Sequence, residues 1–302
     1  MTRLKIKLIY PSLIGFFGIV VLWQAIVVLG GYESTLLPPP VDVAKALVTL
    51  FVEGVIWEHI QASLLRFFGG YTLAVIVAII LGLILGRMVK LWSIIDPIVQ
   101  VLRPVSPIAW SPFIVLWFGI GNMSTIVIIF FAAFFPVLLS TVGAVRKVDS
   151  VYLNIAANFE LTKYQLLVKV VFPSAFPGIA NGLRMAIGSA WIFLVAGEMV
   201  GAQSGLGYLI VNSKSSLSFD VVLAAILIIG ILGFLIDKAI RYVESWVMTV
   251  WSGVQTERNK RVIGSLKLRE LARVYRSYFE KVGSGTRQTD KEVEEKEVTP
   301  KS

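Results

Sequence analysis

Three features of the sequence predict an all-α, polytopic integral membrane protein with about six transmembrane helices. Only 16% of its 302 residues are charged and 56% are hydrophobic, whereas a typical soluble domain carries roughly a quarter charged residues. The apolar residues gather into runs separated by polar segments, and each run approaches the roughly 20 helical residues that cross a bilayer core. Within hydrocarbon, every backbone N–H and C=O must be satisfied internally, so an apolar run of this length is read as a helix.

The first run, 8–30, follows Arg3, Lys5 and Lys7, a basic start shared with secretory signals. Its apolar core exceeds the roughly 7–15 residues of a signal h-region, and no small-x-small cleavage site precedes Tyr32 and Glu33, so residues 1–35 are expected to form a permanent N-terminal transmembrane helix. Residues 36–63 form an extracytoplasmic segment. It has three consecutive prolines, Pro38 to Pro40, followed by Val43, Leu47, Leu50 and Phe51 on one helical face, the pattern of a helix lying along a membrane surface. The core, 64–250, holds five further runs at 64–86, 98–118, 125–145, 179–200 and 221–236. Gly69 with Gly70, Gly82 with Gly86, and Gly178 with Gly182 lie at small-residue spacings that let helices approach closely, here within the subunit. Residues 251–302 are a basic cytoplasmic tail. In it Leu268, Leu271, Ala272, Tyr275, Phe279 and Val282 recur at helical spacing among basic residues, which suits the lipid leaflet or a partner protein, and 283–302 has a disordered composition.

Charge bias orients the spans. With the N-terminus inside, the inner loops hold Arg3, Lys5, Lys7, Arg87, Lys90, Arg146, Lys147, Lys163, Lys169, Lys238 and Arg241, against Lys45, Arg66 and Lys214 outside. Basic residues accumulate on the cytoplasmic side, which places both termini there in a multi-pass protein of the cell membrane.

Composition also narrows the chemistry. The chain has no cysteine and a single histidine, His59, which is read as a solvated surface residue; thiolate and histidine-based sites are therefore not expected. The net charge of +9 does not imply nucleic acid, because twelve of the 28 basic residues fall in 257–302 and the others flank spans. No GxxxxGK[ST] segment is present to cradle ATP, and titratable groups do not cluster as in an enzyme site.

The stretch between the fourth and fifth runs, 148–172, is too long for a minimal connection and must emerge into water or onto a partner. Val151, Ile155, Phe159 and Leu166 recur at near-helical spacing among Asn154, Asn158, Lys163 and Lys169, as in short amphipathic helices. Pro173 and Pro177 are expected to end that structure, since each lacks a backbone donor and disfavours helix before it.

This insert and its flanks resemble the membrane subunits of ATP-binding cassette importers, in the branch handling nitrate, sulfonates, taurine, bicarbonate and thiamine precursors. The resemblance runs over about 36–245 and includes LLPPPVDV at 36–43, LWFGIG at 116–121, FFPVLLSTVGAVRKVD at 134–149 and GLRMAIGSAWIFLVAGEMVGAQSGLGYLI at 182–210. It implies a type I importer permease fold whose 148–172 loop couples to a separate ATPase through Asn154, Ile155, Ala156, Ala157, Glu160, Leu161, Tyr164 and Pro173. It also implies a second copy of the permease in a homodimer and an extracytoplasmic solute-binding protein. The chain itself would bind no cofactor, with ATP and Mg used by the partner ATPase. A self-sufficient secondary transporter or channel is the rival from another class, and a membrane enzyme the third.

Two positions depart from the family's Glu-Ala-Ala loop signature: Asn154 stands where glutamate is usual and Glu160 where glycine is usual. Glycine permits positive φ, whereas glutamate is strained there, so the turn is either absent or shifted to Asn158, which tolerates left-handed geometry better.

Three charged residues lie in or near spans, where an ionisable group costs about 2.5–3.5 kcal/mol. Arg103 and Arg184 either line a route for anionic solutes or serve structure by snorkelling or interhelical hydrogen bonding. Glu198 is either an outer gate or a similar structural contact.

Overall fold

The computed structural model describes residues 2–31, 33 and 35–251, apart from the side chains at 2–13, 16, 155 and 248–251. The predicted tail helix at 268–282 and the polar end at 283–302 lie outside the described residues. Two compact units are distinguished, 1–244 and 245–302; of the second, only the end of the last helix is described.

The helices, in chain order, are α1 (Thr2–Gly30), α2 (Pro40–Val52), α3 (Val55–Arg87), α4 (Val89–Leu102), α5 (Ser111–Phe118), α6 (Asn122–Arg146), α7 (Ser150–Asn158), α8 (Lys163–Leu166), α9 (Phe172–Gly201), α10 (Leu206–Ser215) and α11 (Phe219–Trp251). Among the described residues, four stretches are long and apolar enough to span: Val55–Arg87, Asn122–Arg146, Lys163–Gly201 and Phe219–Val247. A fifth is the pair Val89–Leu102 and Pro107–Phe118, bent by 85°. The run expected at 98–118 is therefore not one straight helix. Pro104 and Pro107 each lack a donor, and Ser106 before Pro107 is extended, so the helix breaks there and restarts through a short 3-10 turn at Pro107–Trp110. In α1 the apolar stretch Phe17–Gly30 is described.

Helix α6 is the central member, packed between α3 and α9. Small residues make this possible: a Cβ on Gly70 would meet Ile126 and Ile129, on Gly82 Thr141, on Gly86 Val145, on Gly178 Ala144 and on Gly182 Ser140. Gly82 with Gly86, Gly178 with Gly182, and Gly70 of the first pair thus face α6 within the subunit. Around them Phe67, Ala74, Ile129, Val137, Ala190 and Leu194 form a closed core.

Pro136 bends the hydrogen-bonding logic of α6, because it cannot donate to the carbonyl of Ala132 one turn earlier. The Ser189 hydroxyl on α9 lies 3.0 Å from that carbonyl oxygen, as close as it lies to the Ala186 carbonyl of its own helix, so the helix defect is met by an interhelical polar contact.

Pro173 and Pro177 do not end the helical structure. From Lys163 the chain stays helical to Gly201, passing through a π turn at Leu167–Val171 in which the Phe172 N–H bonds the carbonyl of Leu167, five residues back. That wider turn lies directly before Pro173, where a regular α-helix would set the proline ring against the Lys169 carbonyl.

Candidate functional site

Two sites stand at opposite ends of α6. Its first residue, Asn122, touches Arg66, and near its last turn Ala144 and Val145 face Gly178 and Gly86 beside the 148–172 loop. At 1.5 Å per residue these ends are separated by about 35 Å.

At the Asn122 end Glu198 and Arg66 form a buried ion pair, Arg66 Nη1 to Glu198 Oε1 at 2.9 Å, with the residues 1% and 3% exposed. Every other polar atom of the pair is engaged. The Ser63 hydroxyl donates to the Glu198 carboxylate at 2.8 Å, and the Gly207 N–H donates to it at 2.9 Å. Arg66 Nε donates to Asn122 Oδ1 at 2.8 Å, and its terminal nitrogens donate to the Ser204 carbonyl and hydroxyl, both at 2.6 Å. The Ser63 oxygen accepts the Leu206 N–H at 2.9 Å, and His59 Nδ1 accepts the Gly205 N–H at 3.1 Å.

Residues 205–207 are the start of α10, where free N–H groups and the positive end of the helix dipole call for acceptors. Here the acceptors come from α3 and α9, so Glu198, Ser63 and His59 cap α10 from outside its own sequence. Gly205 sits at φ 103°, and any Cβ there would run into the Glu198 carboxylate, so both its backbone conformation and the close approach require glycine.

At the other end the loop is built from local caps. The Asp149 carboxylate accepts the Val151 N–H at 2.9 Å and starts α7. The helix ends with Glu160 at φ 51°, the Glu160 N–H bonding the Ala157 carbonyl and the Leu161 N–H bonding that of Ala156. This pair of bonds is a Schellman closure with glutamate in the position usually given to glycine. The turn has not moved to Asn158. Thr162 then opens α8 with a capping box: its hydroxyl accepts the Gln165 N–H, and the Gln165 side chain accepts the Thr162 N–H.

One side of α7 faces the spans, with Ala156 3% exposed and Leu153 packed against the apolar cluster that contains Val145, Val171 and Ile179. The other side is open. Tyr152, Phe159 and Tyr164 are 56%, 75% and 74% exposed, beside exposed Asn154, Ala157 and Glu160. Leu161 is half-buried, Pro173 is exposed, and the Ile155 side chain lies outside the described residues.

Residues 74–249 match the model of the binding-protein-dependent transport system inner membrane component. The chain belongs to that family. It is 36% identical over 76% of its length to the taurine transport system permease protein of Escherichia coli (strain K12), covering 86% of that protein. It is 34% identical to a putative aliphatic sulfonates transport permease protein of Bacillus subtilis (strain 168), over 75% of this chain and 82% of that one. It is 32% identical to a nitrate import permease protein of Synechocystis sp., over 80% and 90%. A chain of the MetNI methionine ABC transporter in an inward-facing conformation shares the fold, with a TM-score of 0.50, 22% identity and coverage of 64% of this chain and 94% of that one. The protein is thus a multi-pass inner-membrane permease component of an ATP-binding cassette importer.

Within this permease the three charged residues singled out in the sequence have different settings. Arg184 pairs with Glu244 of α11 at 2.7 Å, an interhelical contact. Glu198 is enclosed in the cluster above. Arg103 is exposed and lines a cavity of about 500 Å³ where the bent span meets α6 and α9.

Two readings from sequence are corrected. Arg66, counted with the outside charges at the edge of the 64–86 run, is a buried residue of α3, because the helix begins at Val55 and puts it two turns or more inside. His59 is not a solvated surface group; it lies on the same helix, half-buried, capping Gly205. The signal for Arg66 was Glu198 itself: a carboxylate in an apolar span requires a cation, and Ser63 and Arg66 share one helical face.

Proposed function

We propose that this permease forms the solute pathway of an importer driven by separate ATPase subunits, which dock on the open face of α7 and α8. The observation that carries this reading is the exposed trio Tyr152, Phe159 and Tyr164, displayed on a rigidly capped loop between two spans. The absence of a phosphate-binding loop in the 302 residues supports ATP and Mg being used on the partner. Because α8 continues through the π turn into α9, a push on the loop is carried directly into a span, the geometry of a rigid-body switch.

The same reading pairs two copies of the chain and brings solute from an extracytoplasmic binding protein on the side of α2 and α10. With Arg66 buried, only Lys45 and Lys214 remain on that side, which strengthens the bias toward cytoplasmic termini and a cytoplasmic loop. The solute class is a small anion of the kind named for the taurine, sulfonate and nitrate relatives; a thiamine precursor is the other candidate.

Phe159→Asp combined with Tyr164→Asp tests the docking face, since both side chains are exposed and Ala156, on the inner side, is not part of it. The variant is expected to insert normally but to lose co-purification with its ATPase and ATP-driven uptake. Retention of both would exclude docking through this face, and gradient-driven uptake by the chain alone would favour a secondary transporter.

A further inference from the structure

The cavity of about 500 Å³ beside the bent span is of a size that encloses small ligands and has the composition of a ligand site: mostly apolar, with few polar groups. Phe131, Phe135 and Phe193 supply aromatic surface, and Arg103 is the only charged residue among the described residues that line it. The two serines that reach it have their protons directed elsewhere. Ser140 donates to the Gly178 carbonyl at 2.7 Å, and the Ser189 hydroxyl has the Ala132 and Ala186 carbonyl oxygens at 3.0 Å and that of Met185 at 3.4 Å to receive its single proton.

This inventory discriminates among anions. A small inorganic anion such as nitrate or bicarbonate surrenders hydration on entry and needs several donors in return; here one guanidinium is offered and the serine hydrogens are committed. An organic anion needs that guanidinium only for its head, where the planar fork suits sulfonate or carboxylate oxygens. Its hydrocarbon body gains about 25 cal/mol per Å² of apolar surface removed from water against the phenyl rings. Among the described residues, no carboxylate lines the cavity to receive an ammonium group.

We propose that this cavity binds organic monoanions with a hydrocarbon body, alkyl sulfonates or carboxylates, in preference to inorganic anions, with Arg103 holding the head group. The proposal rests on the permease reading and narrows its solute class. Binding is measured on the full-length chain in phosphatidylcholine nanodiscs without ATPase or ATP, so a failure of docking and a failure of this site give separate results. Saturation-transfer NMR follows butanesulfonate, with empty nanodiscs as the control for partitioning.

Wild-type protein is expected to transfer saturation to the butyl protons, with nitrate unable to displace the ligand at equal concentration. Arg103→Gln is expected to weaken binding about tenfold, the scale of one charge-assisted contact, and Arg103→Lys less so. Met185→Trp, which fills the cavity from an exposed lining position, is expected to abolish the signal. Arg103 is exposed, so its variants are expected to elute from size exclusion as wild type does. Displacement by equimolar nitrate, or unchanged affinity in Arg103→Gln, overturns the assignment.

Discussion

The loop at one end of α6 and the ion-pair cluster at the other are held by opposite means. In the loop each defining hydrogen bond joins residues at most five positions apart, Asp149 with Val151, Ala156 with Leu161, Thr162 with Gln165. In the cluster Ser63 and Arg66 reach Glu198 across 135 and 132 positions, and the bonds are buried. A locally closed unit can be displaced without losing its shape, whereas a buried network between distant helices resists displacement. The loop is therefore suited to transmit motion, and the cluster to fix the 202–217 segment against the ends of α3 and α9.

Removing one partner from the cluster is the strongest way to break this contrast. Glu198→Ala leaves the Arg66 charge buried without its counterion and the Gly207 N–H without an acceptor, which is expected to cost about 3–5 kcal/mol. Thermal melting of the detergent-solubilised chain should fall, and residues 202–217 should become open to proteolysis while α7 is unaffected. The double variant Arg66→Met with Glu198→Leu should recover part of the loss, since no lone charge remains. A Glu198→Ala protein that melts with the wild type would show that the pair holds nothing together.

The same contrast explains what the sequence disclosed. In the loop the helical spacing of Val151, Ile155 and Phe159 and the departure at Glu160 were legible, but the caps Asp149 and Thr162 with Gln165 were not read, although their signals are local, and the turn stayed at Glu160 instead of moving to Asn158. The cluster was half legible. Glu198 was conspicuous in an apolar run, but the helix of its partner starts at 55, before the span-like hydropathy, so Arg66 stood at the edge of the 64–86 run and was counted with the outside charges. Prolines misled in both directions. Pro104 and Pro107 break a run that reads as one span, because the chain needs an 85° bend there; Pro173 and Pro177 leave a helix unbroken, because a π turn and the packing of α9 on α6 outweigh their local preference.

A weaker perturbation sharpens the comparison from the loop side. Thr162→Ala removes one half of the capping box, an effect of about 1 kcal/mol confined to the start of α8. Amide exchange at 163–166 should quicken about fivefold, with no change at 205–207, since sites this far apart add independently. A change at α10 would mean that the two ends are energetically coupled rather than separately held.

The smallest effect has the opposite sign. Glu160 occupies φ 51° as the residue after a helix, a conformation that costs an L residue roughly 1–2 kcal/mol. Glycine removes that strain but surrenders about 0.5–1 kcal/mol in the greater freedom of its unfolded chain. Glu160→Gly is thus expected to stabilise α7 by about 0.5 kcal/mol, slowing amide exchange over 150–158 roughly twofold. Glu160 is exposed and forms none of the described ion pairs, so the substitution isolates the backbone term. If exchange were instead unchanged or faster, the glutamate side chain would be contributing at least as much within the uncovered loop as its strained backbone costs.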